Sequence, residues 1–235
     1  MIKRFFIRTL FLLGGVFLWG SLIGPAFAGS DLSTYDTPPS ADVTEQLWAQ
    51  FMAGNRRWIR GTPAEVNITA LRHQLAPGAN PKAIVLACSD TRVAPEHVFD
   101  QPLGQMYVVR TMAHVIGTMA LGTVEYAVSQ FKSPVLIIMG HDHCGAVEAA
   151  CDMRKMPSED LQAIVDRINV RIKDLRGRYR GDELKDRAIR ANIEQTSKDL
   201  LANSSYIREA VQKKLLTIVL AIYHVDSGQV ERLNP

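Results

Sequence analysis

The sequence lacks an excess of either charge beyond its first 28 residues. The full chain of 235 residues has 27 Lys and Arg against 24 Asp and Glu, and Lys3, Arg4 and Arg8 account for the whole surplus. Without residues 1–28 the count is 24 of each sign, because 27 minus 3 is 24. A protein without a global basic field does not gather nucleic acid or anionic lipid by charge. We therefore expect no nucleic-acid partner.

Long apolar runs are also scarce, and the single one covers residues 10–23. Three basic residues precede it and Ala26-Phe27-Ala28 follows it, an order typical of a secretory signal peptide cleaved after Ala28. An uncleaved anchor is the alternative, but glycines interrupt the run, which is shorter than the ~20 residues of a spanning helix. The sequence predicts an exported, periplasmic (secreted) protein with no membrane span after cleavage. Its parts are a signal peptide (1–28), a linker (29–41) and a single domain (42–235).

Cysteine is the third scarcity, with only Cys88, Cys144 and Cys151 present. Export would favour disulfides among them, yet three is an odd number. A metal shared by Cys88 and Cys144 would protect both as thiolates. We interpret the remaining Cys151 as a small buried residue of a helix, without a reactive role.

Apolar segments in the middle of the chain alternate with helical patterns. Residues 83–87, 105–110 and 135–139 are predicted strands, and residues 118–131 are a predicted helix. Strands that are apolar on both faces and separated by helices are typical of a parallel sheet. The sequence predicts an α/β fold with a central, mostly parallel β-sheet flanked by helices and an N-terminal helical arm. In such sheets ligands bind beyond the carboxyl ends of the strands.

Helical patterns on either side complete the predicted domain. The N-terminal arm starts near Asp42 and Glu45, which resemble a capping box, and it has an aromatic face for which a partner subunit is one candidate cover. Further along, a helix is expected to start at Ser158 and to stop at Gly177. Helices over residues 182–201 and 206–214, a strand over 215–225 and a turn at 226–228 are expected after it.

Two short motifs each follow a predicted strand. Cys88-Ser89-Asp90-Thr91-Arg92 comes after the first strand, and His141-Asp142-His143-Cys144-Gly145 comes after the third. Two thiolates and one imidazole make a zinc site with three protein ligands, whose fourth position is free for water. Zinc lowers the pKa of such a water from ~15.7 towards ~7. A zinc site with an open fourth position therefore predicts a catalytic function.

Asp90 and Arg92 strengthen this prediction. On an extended segment both side chains would point to the face used by Cys88. The Asp90 carboxylate would then accept a hydrogen bond from metal-bound water, while the Arg92 guanidinium holds the carboxylate with a charge-assisted fork. A surface ion pair of little energetic value is the alternative interpretation.

These residues belong to a longer pattern. Cys-Ser-Asp-Thr-Arg-Val followed by Pro-Glu, then Tyr-Val-Val-Arg, Glu-Tyr-Ala-Val, Gly-His-x-x-Cys-Gly-Ala-Val and Tyr-x-Val-x-Ser-Gly together resemble a bacterial β-class carbonic anhydrase. The resemblance implies an enzyme with one zinc ion per chain that interconverts carbon dioxide and bicarbonate through zinc-bound hydroxide. It also implies a homodimer or higher homo-oligomer with active sites at the subunit interface. The implied zinc ligands are Cys88, His141 and Cys144, and the implied catalytic dyad is Asp90 with Arg92.

The resemblance further assigns a conditional ligand and a substrate pocket. In some members of the family the aspartate that matches Asp90 leaves its arginine and occupies the fourth zinc position, which switches the enzyme off. Ala79 stands where the family often has Gln, and residues 111–114 replace the common Asn-x-Ala. The positions that match the pocket are Ala79, Tyr107, Met112, Tyr126 and the backbone of Gly145.

The other histidines receive no catalytic role. The resemblance selects His141 as the ligand and leaves His143 as a solvated neighbour. His114 is interpreted as solvated or capping, with proton release as its alternative role. His97 and His224 are not accompanied by other candidate site residues in the sequence and are interpreted as structural.

Three other functions remain open at this point. The first is a noncatalytic zinc protein of the envelope, in which the altered loop fails to hold substrate. The second is a hydrolase of carbon disulfide or carbonyl sulfide that uses the same zinc hydroxide. The third is a thiol enzyme with Cys144 as nucleophile and His141 as base, which leaves Cys88, Asp90 and Arg92 without a role.

Overall fold

The computed structural model describes residues 41–233. The proposed signal peptide and all but the last residue of the linker lie outside the described residues. Between residues 41 and 233, no helix is both long enough and apolar enough to cross a bilayer.

A five-stranded sheet forms the centre of the protein. Its strand order is β2-β1-β3-β4-β5, with the first four strands parallel and β5 antiparallel to β4. Every residue of β1 and β3 is buried, as expected for central strands covered on both faces. The strands are β1 (Ala83–Cys88), β2 (Met106–Thr111), β3 (Val135–His141), β4 (Thr217–Tyr223) and β5 (Val230–Leu233). The predicted mostly parallel α/β fold is confirmed.

Helices cover both faces of the sheet. One face packs Leu86 and Ile138 into a core with α4 to α8, and the other packs Val85 and Ile137 against α1 and α3. A short 3₁₀ turn (Met112–His114) follows β2. The helices are α1 (Ala41–Arg60), α2 (Ile68–Leu75), α3 (Pro95–Val98), α4 (Thr118–Phe131), α5 (Gly145–Cys151), α6 (Glu159–Arg178), α7 (Gly181–Asn203) and α8 (Ser205–Gln212).

The aromatic face of the N-terminal arm packs on its own chain. Phe51 of α1 is fully buried, and its ring centroid lies 5.7 Å from that of Phe99. Trp48 meets the same ring edge-on at 6.3 Å. A partner subunit is therefore not needed to cover this part of the arm, although Trp58 and Ile59 near its end stay exposed.

Several predicted boundaries need correction. Helix α1 begins at Ala41, so Asp42 lies inside the first turn, where a carboxylate favours the helix dipole. Ser158 does cap α6 by accepting a hydrogen bond from the Leu161 amide, but the helix passes through Gly177 and ends at Arg178. Helices α2 and α3 and strand β5 are not predicted from the sequence, because these short elements have weak periodicity.

Candidate metal centre and active site

Three potential metal ligands meet at the carboxyl edge of the sheet. Cys88 ends β1 and His141 ends β3, and these two strands are hydrogen-bonded neighbours. Cys144 precedes the first residue of α5, after a tight turn in which His143 has a positive φ of 52°. The two sulfurs and a ring nitrogen all lie within 4.8 Å of one another, and all three residues are buried. The parallel topology thus joins ligands that are more than 50 positions apart in the sequence.

The histidine is oriented for metal binding. Its Nδ1 lies 2.7 Å from the carbonyl oxygen of Asp142, so Nδ1 carries the proton and Nε2 keeps its lone pair. Nε2 is buried, and no residue of the described part of the chain makes a hydrogen bond of normal geometry with it. A buried acceptor without a partner costs free energy unless something binds it. The two nearby sulfurs and this free lone pair fit a divalent cation.

The electrostatics of Cys88 and Cys144 also suits a cation site. A hydrogen bond from Cys144, helped by His141, lowers the pKa of the Cys88 thiol strongly although burial opposes this. The same hydrogen bond and burial raise the pKa of Cys144. The two sulfurs therefore interact in a buried space, and a divalent cation between them would replace this hydrogen bond and stabilise both as thiolates.

Asp90 and Arg92 form a forked ion pair beside the ligands. Arg92 donates from Nε and Nη2 to the two carboxylate oxygens of Asp90, at 3.0 and 2.7 Å. These hydrogen bonds hold the pKa of Asp90 well below its usual range. Arg92 also donates to the backbone oxygen of His143 at 3.1 Å, which links the two motifs.

The pair is adjacent for a reason that differs from the expected one. Residues 91 and 92 lie in a turn, not in an extended segment, and the Arg92 amide donates to Asp90 Oδ1 at 2.9 Å to close it. In this arrangement Arg92 engages Asp90, and the ligand cluster comprises only Cys88, His141 and Cys144. Binding of Asp90 to the metal stays a prediction.

A cavity of about 410 Å³ opens beside the cluster. Met112 and Gly145, two of the predicted pocket residues, line it together with Cys88, Ser89, Asp90, Thr91, Arg92, Cys144 and Ala146. Asp90 and Arg92 therefore stand at the wall of a space that also reaches two metal ligands.

Tyr107, Tyr126 and Ala79 do not line this cavity. Tyr107 pairs with Ile84, four residues before Cys88, and its ring packs with those of Tyr126 and Phe131 at 6.3 and 5.2 Å. Ala79 is exposed ahead of β1, towards the other end of the sheet. Within one chain these three residues are separate from the metal ligands, so their pocket role stays a prediction.

Comparison with known proteins agrees with this geometry. Residues 83–230 match the carbonic anhydrase family. Carbonic anhydrase 2 of Mycobacterium tuberculosis is 37% identical over 186 residues, which cover 77% of this chain and 89% of the relative. The chain belongs to the carbonic anhydrase family.

Solved structures show that the fold is that of the β-class enzymes. The β-carbonic anhydrase CafA of Aspergillus fumigatus superposes with a TM-score of 0.63 at 24% identity, covering 83% of this chain and 89% of that one. A tetrameric β-carbonic anhydrase of Sordaria macrospora gives 0.63 at 20% identity, covering 81% and 98%. β-Carbonic anhydrases use zinc, and the Cys-His-Cys cluster of this carbonic anhydrase is a donor set that suits that ion.

Arg110 is a site residue that the sequence analysis missed. It is the last residue of the Tyr-Val-Val-Arg motif and pairs with Ala87 in the sheet. Its Nε donates to the carbonyl oxygen of Cys88 at 3.0 Å, and its Nη2 donates to that of Asp90. The side chain thereby fixes the backbone that carries a metal ligand and one member of the dyad. The available signal was an arginine at the end of a strand next to the ligand-bearing strand.

Asp142 and His224 also make contacts that were not predicted from the sequence. The Asp142 carboxylate accepts a hydrogen bond from the Val225 amide at 2.8 Å and lies 3.3 Å from His224 Nδ1. The other ring nitrogen of His224 lies 3.3 Å from Glu231. His224 therefore does have polar partners around it, contrary to the prediction. Its contact with Asp142 connects the turn after His141 to the end of β4.

Two further histidine interpretations can be compared with the structure. His143 is exposed over 69% of its side chain, as expected of a solvated neighbour. His114 is 2% exposed, so its interpretation as solvated or capping is wrong. Burial lowers the pKa of His114 to about 4, and its Nδ1 lies 3.1 Å from the Thr196 hydroxyl. A ring without access to solvent is a poor group for proton release.

Cys151 is buried and free at the end of α5, as predicted.

Proposed function

We propose that this protein catalyses the reversible hydration of carbon dioxide to bicarbonate and a proton, with one zinc ion per chain held by Cys88, His141 and Cys144. The observation that carries this proposal is the meeting of three buried ligand atoms within 4.8 Å, beside a cavity whose wall holds the Asp90–Arg92 pair. Cys88, His141 and Cys144 would hold the zinc ion, which would lower the pKa of a water in the fourth position so that hydroxide would be available to attack carbon dioxide near neutral pH.

Asp90 is proposed to orient the nucleophilic oxygen. The hydrogen bonds from Arg92 keep its carboxylate ionised, so it acts as an acceptor and does not store the released proton. Arg92 holds the carboxylate in place by its fork and by its hydrogen bond to the His143 carbonyl. These side chains are positioned before substrate arrives, which lowers the reorganisation needed during the reaction.

The cavity is proposed to admit carbon dioxide. Met112 and Ala146 give it apolar wall, while the backbone at Gly145 adds polar groups at the start of α5. An apolar wall favours a small uncharged substrate over water.

A homo-oligomer is proposed to complete the site. Among the described strands, β2 forms one edge of the sheet, and Tyr126 and Met119 of the adjacent helix α4 are exposed. Helix α2 has no buried residue. A partner chain seated on this side would cover these surfaces, and Tyr107, Tyr126 and Ala79 are available there to a neighbouring active site. The tetrameric relative agrees with such assembly.

Export is proposed as well, on the sequence pattern of residues 1–28. Fractionation of cells that express the full chain, with N-terminal sequencing of the mature protein, tests it. A mature chain that begins at Gly29 in the periplasmic fraction supports export, and an intact N-terminus in the cytoplasm contradicts it.

The thiol-enzyme alternative receives no support from the site. A nucleophilic cysteine needs a lowered pKa, whereas the thiolate of Cys88 and burial raise that of Cys144.

Stopped-flow measurement of carbon dioxide hydration, with and without a chelator and alongside zinc analysis, tests the proposal. We expect about one zinc per chain and activity that disappears on metal removal and returns with zinc. Zinc without hydration would indicate the noncatalytic envelope protein, and turnover restricted to carbon disulfide or carbonyl sulfide would indicate the related hydrolase. Activity that survives full metal removal would contradict the zinc mechanism.

A further inference from the structure

A buried polar cluster behind the metal centre has no role in the function proposed so far. It consists of His114 in the 3₁₀ turn and of Asn192 and Thr196, one turn apart on α7, with exposures of 2%, 0% and 0%. Polar side chains this deep are retained only when their hydrogen bonds are satisfied. The hydrogen bonds of these three residues therefore indicate what they hold in place.

The hydrogen bonds of the cluster form a consistent set. The Thr196 hydroxyl donates to the Asn192 carbonyl at 3.0 Å, so it accepts from Nδ1 of His114 at 3.1 Å. His114 is thus neutral with its proton on Nδ1, and its Nε2 faces the Asn192 amide at 3.5 Å. Arg171 donates to Asn192 Oδ1 at 2.9 Å, which fixes the amide with its NH₂ group towards the turn.

The cluster holds the backbone of Ala113 in place. Asn192 Nδ2 donates to the Ala113 carbonyl oxygen at 3.0 Å. The backbone at Ala113 and His114 has positive φ values of 50° and 47°, which is unfavourable for residues with a Cβ. This conformation directs the Ala113 N–H at the sulfur of Cys88, 3.2 Å away.

The fold makes room for this arrangement at Gly140. A Cβ at this position would lie 2.6 Å from the Ile193 side chain and 3.2 Å from Nε2 of His114. Gly140 directly precedes the ligand His141, so β3 approaches the cluster closely only because it has no side chain there. The cluster thereby packs against the end of β3, next to the ligand His141.

We propose that His114, Asn192 and Thr196 are positioning residues, which hold the Ala113 carbonyl and thereby clamp this residue so that its N–H, in the preceding peptide group, hydrogen-bonds the Cys88 thiolate and limits the charge that this sulfur donates to the metal. An N–H···S hydrogen bond withdraws electron density from a thiolate ligand. The metal is then a stronger Lewis acid, and its bound water loses a proton at lower pH. The clamp acts on reactivity through Cys88 and touches neither substrate nor metal.

The clamp is tested with cobalt(II) in place of zinc, because the thiolate-to-cobalt absorption band reports the charge on sulfur. Thr196→Val keeps the shape of the side chain but removes the hydroxyl, and Asn192→Leu removes the amide that holds the Ala113 carbonyl. We expect the band of both variants to move to lower energy, because the sulfur becomes a stronger donor. The midpoint of the pH profile of carbon dioxide hydration should rise, with a loss of about tenfold in kcat at neutral pH.

Two further variants separate positioning from stability. Thr196→Ser restores a hydroxyl and should return the band and the pH midpoint to those of the wild type. Ile189→Val removes one buried methylene-sized group on the same helix but none of the hydrogen bonds of the cluster, and it should alter neither readout. An unchanged band in cobalt-loaded Thr196→Val and Asn192→Leu, or the same shift in Ile189→Val, would overturn the clamp.

The inference rests on the proposed metal site, and the experiment distinguishes the two. Wild-type protein that binds no cobalt would overturn the metal site and the clamp together. Wild-type protein that binds one cobalt per chain with thiolate absorption, and variants whose spectra and pH profiles match it, would overturn the clamp alone.

Discussion

Arg92 donates hydrogen bonds from Nε and Nη2 to the two carboxylate oxygens of Asp90, at 3.0 and 2.7 Å, across a turn of two residues. The same spacing occurs a second time, between Arg154 and Asp152 on the surface after α5, where Nε and Nη2 of Arg154 both donate to one carboxylate oxygen. The first pair borders the cavity beside the metal ligands, and the second does not. The protein thus contains both an active-site pair and a matched control of the same chemistry.

Replacement of Asp90 by alanine should abolish most turnover while the metal stays bound. Asp90 is absent from the ligand cluster, and loss of an acceptor for the reacting water should cost at least about 100-fold in kcat. Zinc analysis and stopped-flow hydration measure both effects. Asp152→Ala removes the equivalent carboxylate elsewhere and should keep the wild-type rate. An Asp90→Ala enzyme at the wild-type rate would refute the dyad.

Arg110→Lys should reduce turnover with little effect on zinc content. Lysine keeps the charge but not the fork that reaches the carbonyl oxygens of Cys88 and Asp90. We expect a loss of about 10- to 100-fold in kcat/KM, typical of residues that support a metal site indirectly. Arg187→Lys, in an exposed pair with Glu183, is the control and should be neutral. Equal rates for the two variants would show that Arg110 does not organise the site.

His114 should make stability depend on acid. Its pKa is lowered from 6.5 to about 4 because burial disfavours the charged ring, with Cys88, His141 and Arg171 as the charged neighbours. The folded state therefore binds fewer protons than the unfolded state between these values. Stability is unaffected above pH 6.5, falls between pH 6.5 and 4, and loses about 3 kcal/mol in total from this group.

Urea unfolding across this pH range, with chelator present throughout, measures that dependence. His114→Asn removes the titrating ring and should flatten the curve in this window relative to the wild type. Parallel curves for the two proteins would contradict the assignment of a neutral, buried His114.

Gly140→Ala should destabilise the fold. The added Cβ would lie 2.6 Å from Ile193 on α7, so strand or helix must shift, at a cost of about 1–3 kcal/mol. Gly122→Ala in α4 meets no atom within 4 Å and should be neutral or stabilising by up to ~1 kcal/mol. Denaturant midpoints compare the two. A Gly140→Ala protein as stable as Gly122→Ala would show that β3 does not need the close approach.

The sequence predicts the positions of Cys88 and His141 well because both follow continuous apolar strands, whose carboxyl ends meet at one edge of a parallel sheet. The adjacency of Asp90 and Arg92 was also predictable from their spacing, although a turn rather than an extended segment produces it. Local pattern and topology were sufficient for these residues.

Contacts between distant segments were not predictable in this way. The burial of His114 depends on Asn192 and Thr196, which lie about 80 positions later on a helix that shows no chemistry of its own. Phe51 finds its cover on Phe99 of the same chain, which no periodicity within the arm reveals. Strand β5 has four residues at a sheet edge, too few to give a clear alternation.

X-ray absorption at the zinc edge of the purified protein tests the central claim most directly. Zinc held by Cys88, His141 and Cys144 should show two sulfur neighbours at about 2.3 Å and two nitrogen or oxygen neighbours at about 2.0–2.1 Å. Cys88→Ser should remove one sulfur from that shell. A shell of nitrogen and oxygen alone, or one that Cys88→Ser leaves unchanged, would contradict the assignment of the metal centre.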